Sequence, residues 1–199
     1  MDITWLGNNS FFISDELVSI VVNPDDSILS SSLINENSVV IATESQSSYS
    51  TNLPVVDSPG EYEVNNLSIF GVANGILKSG EKLVSTCFKL ESRGLSVAVV
   101  GNIGGPFDSE ALSGLSSSHA VVFSPDNNNI DAEILVNAIR SLETKKIIIS
   151  GFDKNSAKSS PGLDSVNKVL GVKDFESRNK ASFTLNNLGD SQEIVILEN

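Results

Sequence analysis

Histidine and cysteine are almost absent from this sequence, whose 199 residues include one of each, His119 and Cys87. A single cysteine excludes an internal disulfide and any zinc site built from several thiolates. A single histidine removes most of the zinc, haem and acid–base chemistry that depends on imidazole. Neither residue has a reactive partner close to it in sequence. We therefore expect Cys87 to be a buried, inert thiol and His119 to be structural.

Basic residues are also scarce, with 13 Lys and Arg against 25 Asp and Glu, so the formal net charge is −12 and the pI is near 4.4. This excess of negative charge argues against nucleic acid or an anionic membrane surface as a partner. No apolar run approaches the roughly 18 residues of a transmembrane helix. Met1 leads into a strand-like segment without a basic region, so we expect no signal peptide and a cytoplasmic location.

Serine and asparagine dominate the polar composition, with 33 Ser and 20 Asn. They are interleaved with apolar segments along the whole chain, which is typical of turns, caps and solvated faces rather than of disorder. Hydrophobic residues make up 40 % of the sequence, enough for a substantial core at this length. We find neither a long linker nor a repeat of fixed period. The sequence therefore predicts a single domain over residues 1–199.

The order of the apolar patterns predicts an α/β (α+β) fold. Short alternating or continuous apolar runs predict strands over most of the first part, including residues 67–72 and 84–90, and another strand over residues 182–185. A turn at Ser92–Gly94 predicts a hairpin. Apolar residues with a 3.6-residue period predict a helix after Asn129, which is a candidate N-cap, and Pro161 begins another that ends at Gly171. Two strand-rich stretches, each followed by helices, predict a four-layer αββα sandwich.

Several segments resemble motifs of one family, in the order in which that family has them. The pairs, each with this chain's segment first, are Trp5–Phe11 with W-L-G-H-S-x-F, Val22–Pro24 with T-D-P, Ser58–Val64 with P-G-E-Y-E-V, Val100–Gly104 with L-G-D-x-G, Ile130–Ala132 with I-D-A, and Ile147–Ser150 with I-V-I-P. The family is that of the small zinc-dependent, lactonase-like hydrolases with the metallo-β-lactamase fold. The resemblance implies a metallo-β-lactamase-like αββα sandwich.

The resemblance also locates the family's metal ligands, and this sequence has replaced every one of them. The segment H-x-H-x-D-H corresponds to residues within 43–50, the first histidine to the motif at Trp5–Phe11, and the bridging aspartate to the motif at Val100–Gly104. From the first position in the chain to the last, the ligand positions are occupied by Asn8, Glu44, Gln46, Ser48, Tyr49, Asn102 and Phe152. If the alignment with the family's last histidine is shifted by one residue, that ligand position falls on Gly151 instead.

These replacements do not suit zinc, which proteins bind through thiolate, imidazole and carboxylate groups. Only Glu44 is anionic at neutral pH, while amide oxygens bind hard cations weakly unless several carboxylates accompany them. We therefore predict no metal, no cofactor and no catalytic residue. The chain is interpreted as a metal-free, catalytically inactive relative with a binding, scaffolding or regulatory role. Its degenerate active site would be a pocket for a small polar ligand, lined by Asn8, Asn23, Glu44, Gln46, Ser48, Tyr49, Asn102 and Phe152.

Two other interpretations remain open from the sequence. The first is a metal-dependent hydrolase with a non-zinc or shifted site around Glu44, Asp126 and Asp131. The second is a structural subunit that assembles with copies of itself, or with an active relative, through a sheet edge or a helix face.

Overall fold

Two β-sheets face each other in the computed structural model, which describes residues 1–44, 48–78, 81–127 and 130–199. With strands numbered in chain order, the first sheet consists of β1 (Asp2–Gly7), β2 (Ser10–Ser14), β3 (Ser19–Val22), β4 (Ser38–Ile41), β5 (Val55–Val56) and β14 (Ala181–Ser182). The second consists of β6 (Gly60–Val64), β7 (Leu67–Lys78), β8 (Glu81–Ser92), β9 (Leu95–Val100), β10 (Ala120–Phe123), β11 (Lys146–Asp153), β12 (Lys158–Ser159), β13 (Ser177–Arg178) and β15 (Glu193–Glu198).

The order of strands shows how distant parts of the chain meet. The first sheet runs β14-β1-β2-β3-β4-β5, and the second runs β13-β15-β11-β10-β9-β8-β7-β6 with β12 beside β11. Strands β9, β10, β11 and β15 are parallel, as are β3, β4 and β5, whereas β6 to β9 form an antiparallel meander. The central strands β4 and β10 are buried on both faces, which explains their continuous apolar sequences.

The apolar residues form two layers of core. One lies between the two sheets and includes Ile13, Ile41, Phe88 and Val122. The other lies on the outer face of the second sheet, where three helices cover it: α2 (Ser109–Leu115), α3 (Ala132–Ser141) and α4 (Pro161–Leu170). Each of the two layers buries apolar surface that its sheet would otherwise expose to water.

The predicted helical layers are unequal on the two sides. On the first sheet the described residues contribute only α1 (Asp26–Leu29), a four-residue helix with no buried residue, in the crossover from β3 to β4. The prediction of an αββα sandwich is confirmed, with this thin layer outside the first sheet. None of the helices within the described ranges is both long and apolar enough to cross a membrane.

The helix ends depend on local capping. Ser160 accepts a hydrogen bond from Leu163 N at the start of α4, Pro161 follows it, and Gly171 ends the helix in the left-handed region with φ 77°, as predicted. Helix α3 begins at Ala132, with the Asp131 side chain as its N-cap. The N-cap predicted at Asn129 was therefore placed too early, and Asn129 itself lies outside the described residues.

Two strand predictions also differ from the structure. Strands were expected over residues 67–72 and 84–90, but β7 and β8 pair over a longer range, from Ser68 opposite Glu91 to Lys78 opposite Glu81. Pairing with a neighbouring strand overrides the low strand propensity of the Asn74–Gly75 segment. The strand expected at residues 182–185 is reduced to β14, and Leu185–Asn187 forms a 3₁₀ turn instead.

Candidate functional site

Polar residues meet where the parallel strands of both sheets end. Asn23 follows β3, Thr43 lies two residues after β4, and Gly101 and Ser124 come directly after β9 and β10. Contacts between these segments show that the strand ends of the two sheets adjoin: a Cβ at Gly101 would lie 2.6 Å from Thr43 Cβ. Ligands of α/β proteins commonly bind outside the carboxyl ends of strands, so this junction is the candidate site.

Asn23 joins the loops of the first sheet through both ends of its amide. Its Oδ1 accepts hydrogen bonds from Thr43 N at 2.8 Å and Thr43 Oγ1 at 3.3 Å, and its Nδ2 lies 3.0 Å from Thr43 Oγ1. The Nδ2 also donates to Asn9 O at 3.3 Å, and the Asn23 carbonyl accepts from Ser10 Oγ at 2.6 Å. The backbone of Asn23 is left-handed with φ 45°, a conformation that asparagine tolerates well. Through these hydrogen bonds, the uncharged residue Asn23 connects the loops that follow β1, β3 and β4.

Asn8 links the two sheets through its backbone. Its carbonyl accepts hydrogen bonds from Trp5 Nε1 at 3.0 Å and from Ser124 Oγ at 3.1 Å, so the turn between β1 and β2 is tied to the end of β10. The residue has a left-handed backbone with φ 47° and is exposed. A side chain at this position therefore lies at the opening of the junction.

The loop that corresponds to the family's ligand segment is described only in part. Glu44 is half-buried and forms an isolated antiparallel bridge with Ser85 of β8. Ser48 is exposed and Tyr49 is half-buried, while Gln46 lies outside the described residues. The structure therefore places Glu44 beside the second sheet.

The last two predicted positions differ in their surroundings. Asn102 is 4 % exposed and directly follows Gly101 at the junction. Phe152 instead packs edge to face against Phe175, with ring centroids 5.5 Å apart, in the apolar layer outside the second sheet. Gly151, the alternative position, faces other polar groups, because a Cβ there would lie 2.6 Å from Ser160 Oγ.

His119 lies away from the junction, and Cys87, although it is next to Gly101, is fully buried there. His119 precedes β10, whereas Ser124 follows it, so the length of the strand, about 13 Å at 3.3 Å per residue, separates the histidine from the site. Its Nδ1 lies 3.1 Å from Ser96 N and 2.9 Å from Ser96 Oγ, in agreement with a structural role. Cys87 is fully buried, and burial raises the pKa of its thiol to about 12 despite a hydrogen bond from the Gly101 backbone.

The side chains at the junction do not fit zinc. Within the described ranges, no three His, Cys, Asp or Glu side chains come together in a group that could hold a metal ion. Asp131 caps α3, and Asp126, whose Oδ1 accepts a hydrogen bond from Gly162 N at 2.9 Å, forms no metal-binding group with Glu44 and Asp131 among the described residues. The described residues thus offer no cluster for the shifted site considered around Glu44, Asp126 and Asp131.

A cavity of about 450 Å³ opens beside the junction. It is lined by Trp5, Gly7, Asn8, Ser124, Asp126, Ser160 and Asn199. Of the predicted pocket residues that the structure describes, only Asn8 lines it. One signal could have identified Ser124, because it directly follows a continuous apolar strand. No local signal identifies Ser160 or Asn199, which reach the cavity from distant parts of the chain.

Two hydroxyl groups deep in this region have no hydrogen-bond partner among the described residues. They belong to Ser85, which lies opposite Glu44, and to Ser150, at the end of β11. Both side chains are fully buried. Since buried polar groups are nearly always paired, these two sites are suited to hold water or ligand atoms.

Comparison with known protein families identifies one family model that matches more than half of the chain. Residues 2–149 match the model of a family described as the beta-lactamase superfamily domain. The chain belongs to the metallo-β-lactamase superfamily. The family and fold implied by the sequence motifs are therefore confirmed.

Several solved structures share the architecture at low sequence identity. A protein of this superfamily from Thermotoga maritima aligns with a TM-score of 0.71 and 22 % identity, covering 99 % of this chain and 98 % of its own. The metallo-β-lactamase fold protein YhfI from Bacillus subtilis aligns with a TM-score of 0.54 and 7 % identity, covering 74 % of this chain and 85 % of its own. The short form of human tRNase Z aligns with a TM-score of 0.55 and 9 % identity, covering 75 % of this chain and 91 % of its own. At these identities the likeness establishes the fold alone. No significant match was found among curated proteins.

Proposed function

We propose that this chain is a non-hydrolytic member of the metallo-β-lactamase superfamily that binds a small polar ligand at the former active site. The observation that carries the proposal is the chemistry of the junction. Direct hydrogen bonds between neutral groups join the loops, as at Asn23 with Thr43 and Asn8 with Ser124. The only carboxylate among the aligned ligand positions is that of Glu44.

Energetics support a site that is stable without a cation. An intact cluster of carboxylates and imidazoles without its metal would leave charges that are unpaired or repel one another, which is costly in a partly buried site. The neutral hydrogen bonds at Asn23 instead contribute about 1 kcal/mol each and leave no net charge to compensate. The junction is thus organised by its own side chains, whereas a zinc hydrolase needs its metal to generate hydroxide near neutral pH.

The proposal is tested first by metal binding. Protein purified without added metal should contain no stoichiometric zinc, iron or manganese. Because an ion that binds the folded state raises its stability by mass action, neither zinc nor a chelator should shift the melting temperature. A content near one metal ion per chain, together with a lower melting temperature in chelator, would refute a metal-free site.

Activity gives the second test. Hydrolysis of esters, lactones and phosphodiesters should stay at the background rate with and without added zinc or manganese, while an active zinc hydrolase of the superfamily serves as the positive control. The variant Glu44→Gln removes the one carboxylate at the aligned positions and should leave this background unchanged. Metal-dependent turnover that Glu44→Gln abolishes would establish a hydrolase and overturn the proposal.

A further inference from the structure

The cavity beside the junction has one aromatic wall. Trp5 lines it, and its ring also packs against the core between the two sheets. The bond from Trp5 Nε1 to the Asn8 carbonyl, 3.0 Å long, holds the edge of the indole in place. The indole is thus a fixed surface at the cavity, and the face of a tryptophan ring attracts cations through its quadrupole.

Among the described residues that line the cavity, one side chain is charged, and it is negative. Asp126 Oδ1 accepts a hydrogen bond from Gly162 N at 2.9 Å, which orients the carboxylate. Its Oδ2 lies 3.5 Å from the Cβ position at Gly151, on the same side as Ser160 Oγ. No lysine or arginine lines the cavity, and Asp126 forms no ion pair within the described part of the chain. Its charge is therefore available to a ligand.

The remaining contacts disfavour an anion. Helix α4 begins at this cavity, but the amides that an anion would use are already bonded, Gly162 N to Asp126 and Leu163 N to Ser160. The whole chain adds a formal charge of −12, which attracts cations and repels anions. A ligand that carries a hydrogen-bond donor fits this lining, because oxygen atoms of Asp126, Ser160 and the asparagines at the rim can accept hydrogen bonds.

We propose that this cavity binds a small organic ammonium ion, with its cationic head against the Trp5 indole and the Asp126 carboxylate. This inference rests on the proposed function, since it names the class of ligand that the site takes. A volume of about 450 Å³ accommodates a head group of this size with several carbons attached.

The single tryptophan of the sequence provides the measurement, because it lies at the site. Choline is the probe, and 3,3-dimethylbutan-1-ol, which has the same shape without the charge, is its neutral control. Titration with choline should change the Trp5 fluorescence saturably. The neutral alcohol should bind at least about tenfold more weakly, as expected when a cation–π contact and a carboxylate are both lost.

Two variants with the same change of charge locate the binding. Asp126→Asn keeps an oxygen that accepts from Gly162 N, so the local fold is retained while the charge is lost, and choline affinity should fall by about tenfold. Asp164→Asn removes an exposed charge on α4 that lies outside the cavity, and it should alter the affinity less than twofold.

The outcomes separate this inference from the proposed function. Equal binding of choline and the neutral alcohol, equal losses in the two variants, or no saturable response to choline would each overturn the ammonium site. Those results would leave the absence of hydrolysis untouched, because that is measured by turnover and metal content. Conversely, metal-dependent hydrolysis would refute the proposed function even if choline still bound as described.

Discussion

Cys87 shows at the scale of one residue how position decides reactivity. The side chain lies on β8 with no exposed surface, and a thiolate there would lose the hydration that stabilises its charge. The pKa of the thiol is therefore raised to about 12, and the hydrogen bond from the Gly101 backbone offsets only part of this effect. The group stays protonated across the range in which ordinary cysteines become nucleophilic.

We expect the native protein to be inert toward a thiol reagent such as dithionitrobenzoate at pH 8. In 6 M guanidinium chloride, where the thiol is exposed and its pKa returns to about 8.5, one thiol per chain should react within minutes. Rapid stoichiometric labelling of the folded protein would show that β8 opens readily or that the burial is misplaced.

Single residues were predictable where the signal was local. The buried thiol and the start of α4 at Pro161 were predicted from their sequence neighbours, and the structure agrees with both. The surroundings of Phe152 were not predictable in this way, because its partner Phe175 lies 23 positions along the chain. The roles of the predicted pocket residues in binding stay a prediction.

Among the elements, α4 depends on a close approach to the 3₁₀ turn at Pro125–Asn127. A Cβ at Gly162 would lie 2.8 Å from Asp126 N and 2.9 Å from Pro125 C. Both are backbone atoms, which cannot rotate out of the way. Glycine near the start of this helix therefore allows α4 to pack beside the site.

Gly162→Ala should lower the free energy of unfolding by about 1–3 kcal/mol, because the added methyl group overpacks this contact. Intrinsic helix propensity alone predicts the opposite sign, a gain of up to about 1 kcal/mol. Gly105→Ala is the control, since a Cβ there meets nothing within 4 Å, and its effect should stay within about 0.5 kcal/mol. Urea denaturation measures both, and a stabilised Gly162→Ala protein would contradict the packing argument.

Helices whose apolar residues recur with a strong period were predicted well. Strands whose length depends on pairing with a neighbouring strand were not. The amphipathic pattern identified α3 and α4, and the turn at Arg93–Gly94 has the positive φ values expected of a tight hairpin, 52° and 77°. The extension of β7 and β8 to the full hairpin depends on cross-strand hydrogen bonds, which no local pattern specifies.

For the whole molecule, the dominant electrostatic feature is the formal charge of −12. Five ion pairs within the described residues, among them Lys180–Asp2 and Lys154–Glu198, are each attractive but mostly exposed. Exposed pairs contribute little, whereas repulsion among the many unpaired carboxylates acts across the molecule.

Screening should therefore stabilise the protein. Raising NaCl from 10 mM to 0.5 M shortens the Debye length from about 30 Å to about 4 Å and should raise the melting temperature. A gain on the order of 1 kcal/mol corresponds to about 2–4 °C for a chain of this size. A melting temperature that falls with salt would mean that the ion pairs outweigh the repulsion.

Assembly through a sheet edge stays a prediction, which the solution mass at each salt concentration would test.

The pairing of β1 with β14 has a consequence for the order of assembly. Asp2 lies opposite Ser182, and the backbone of Met1 exchanges hydrogen bonds with Phe183 in both directions. During synthesis, β1 must therefore wait for about 180 further residues before this neighbour exists. At 5–20 residues per second, that is a delay of roughly 10–40 s in which one side of β1 has no strand to pair with. Such an open edge is a template for pairing with other chains, so the nascent chain is exposed to aggregation at β1 until β14 emerges.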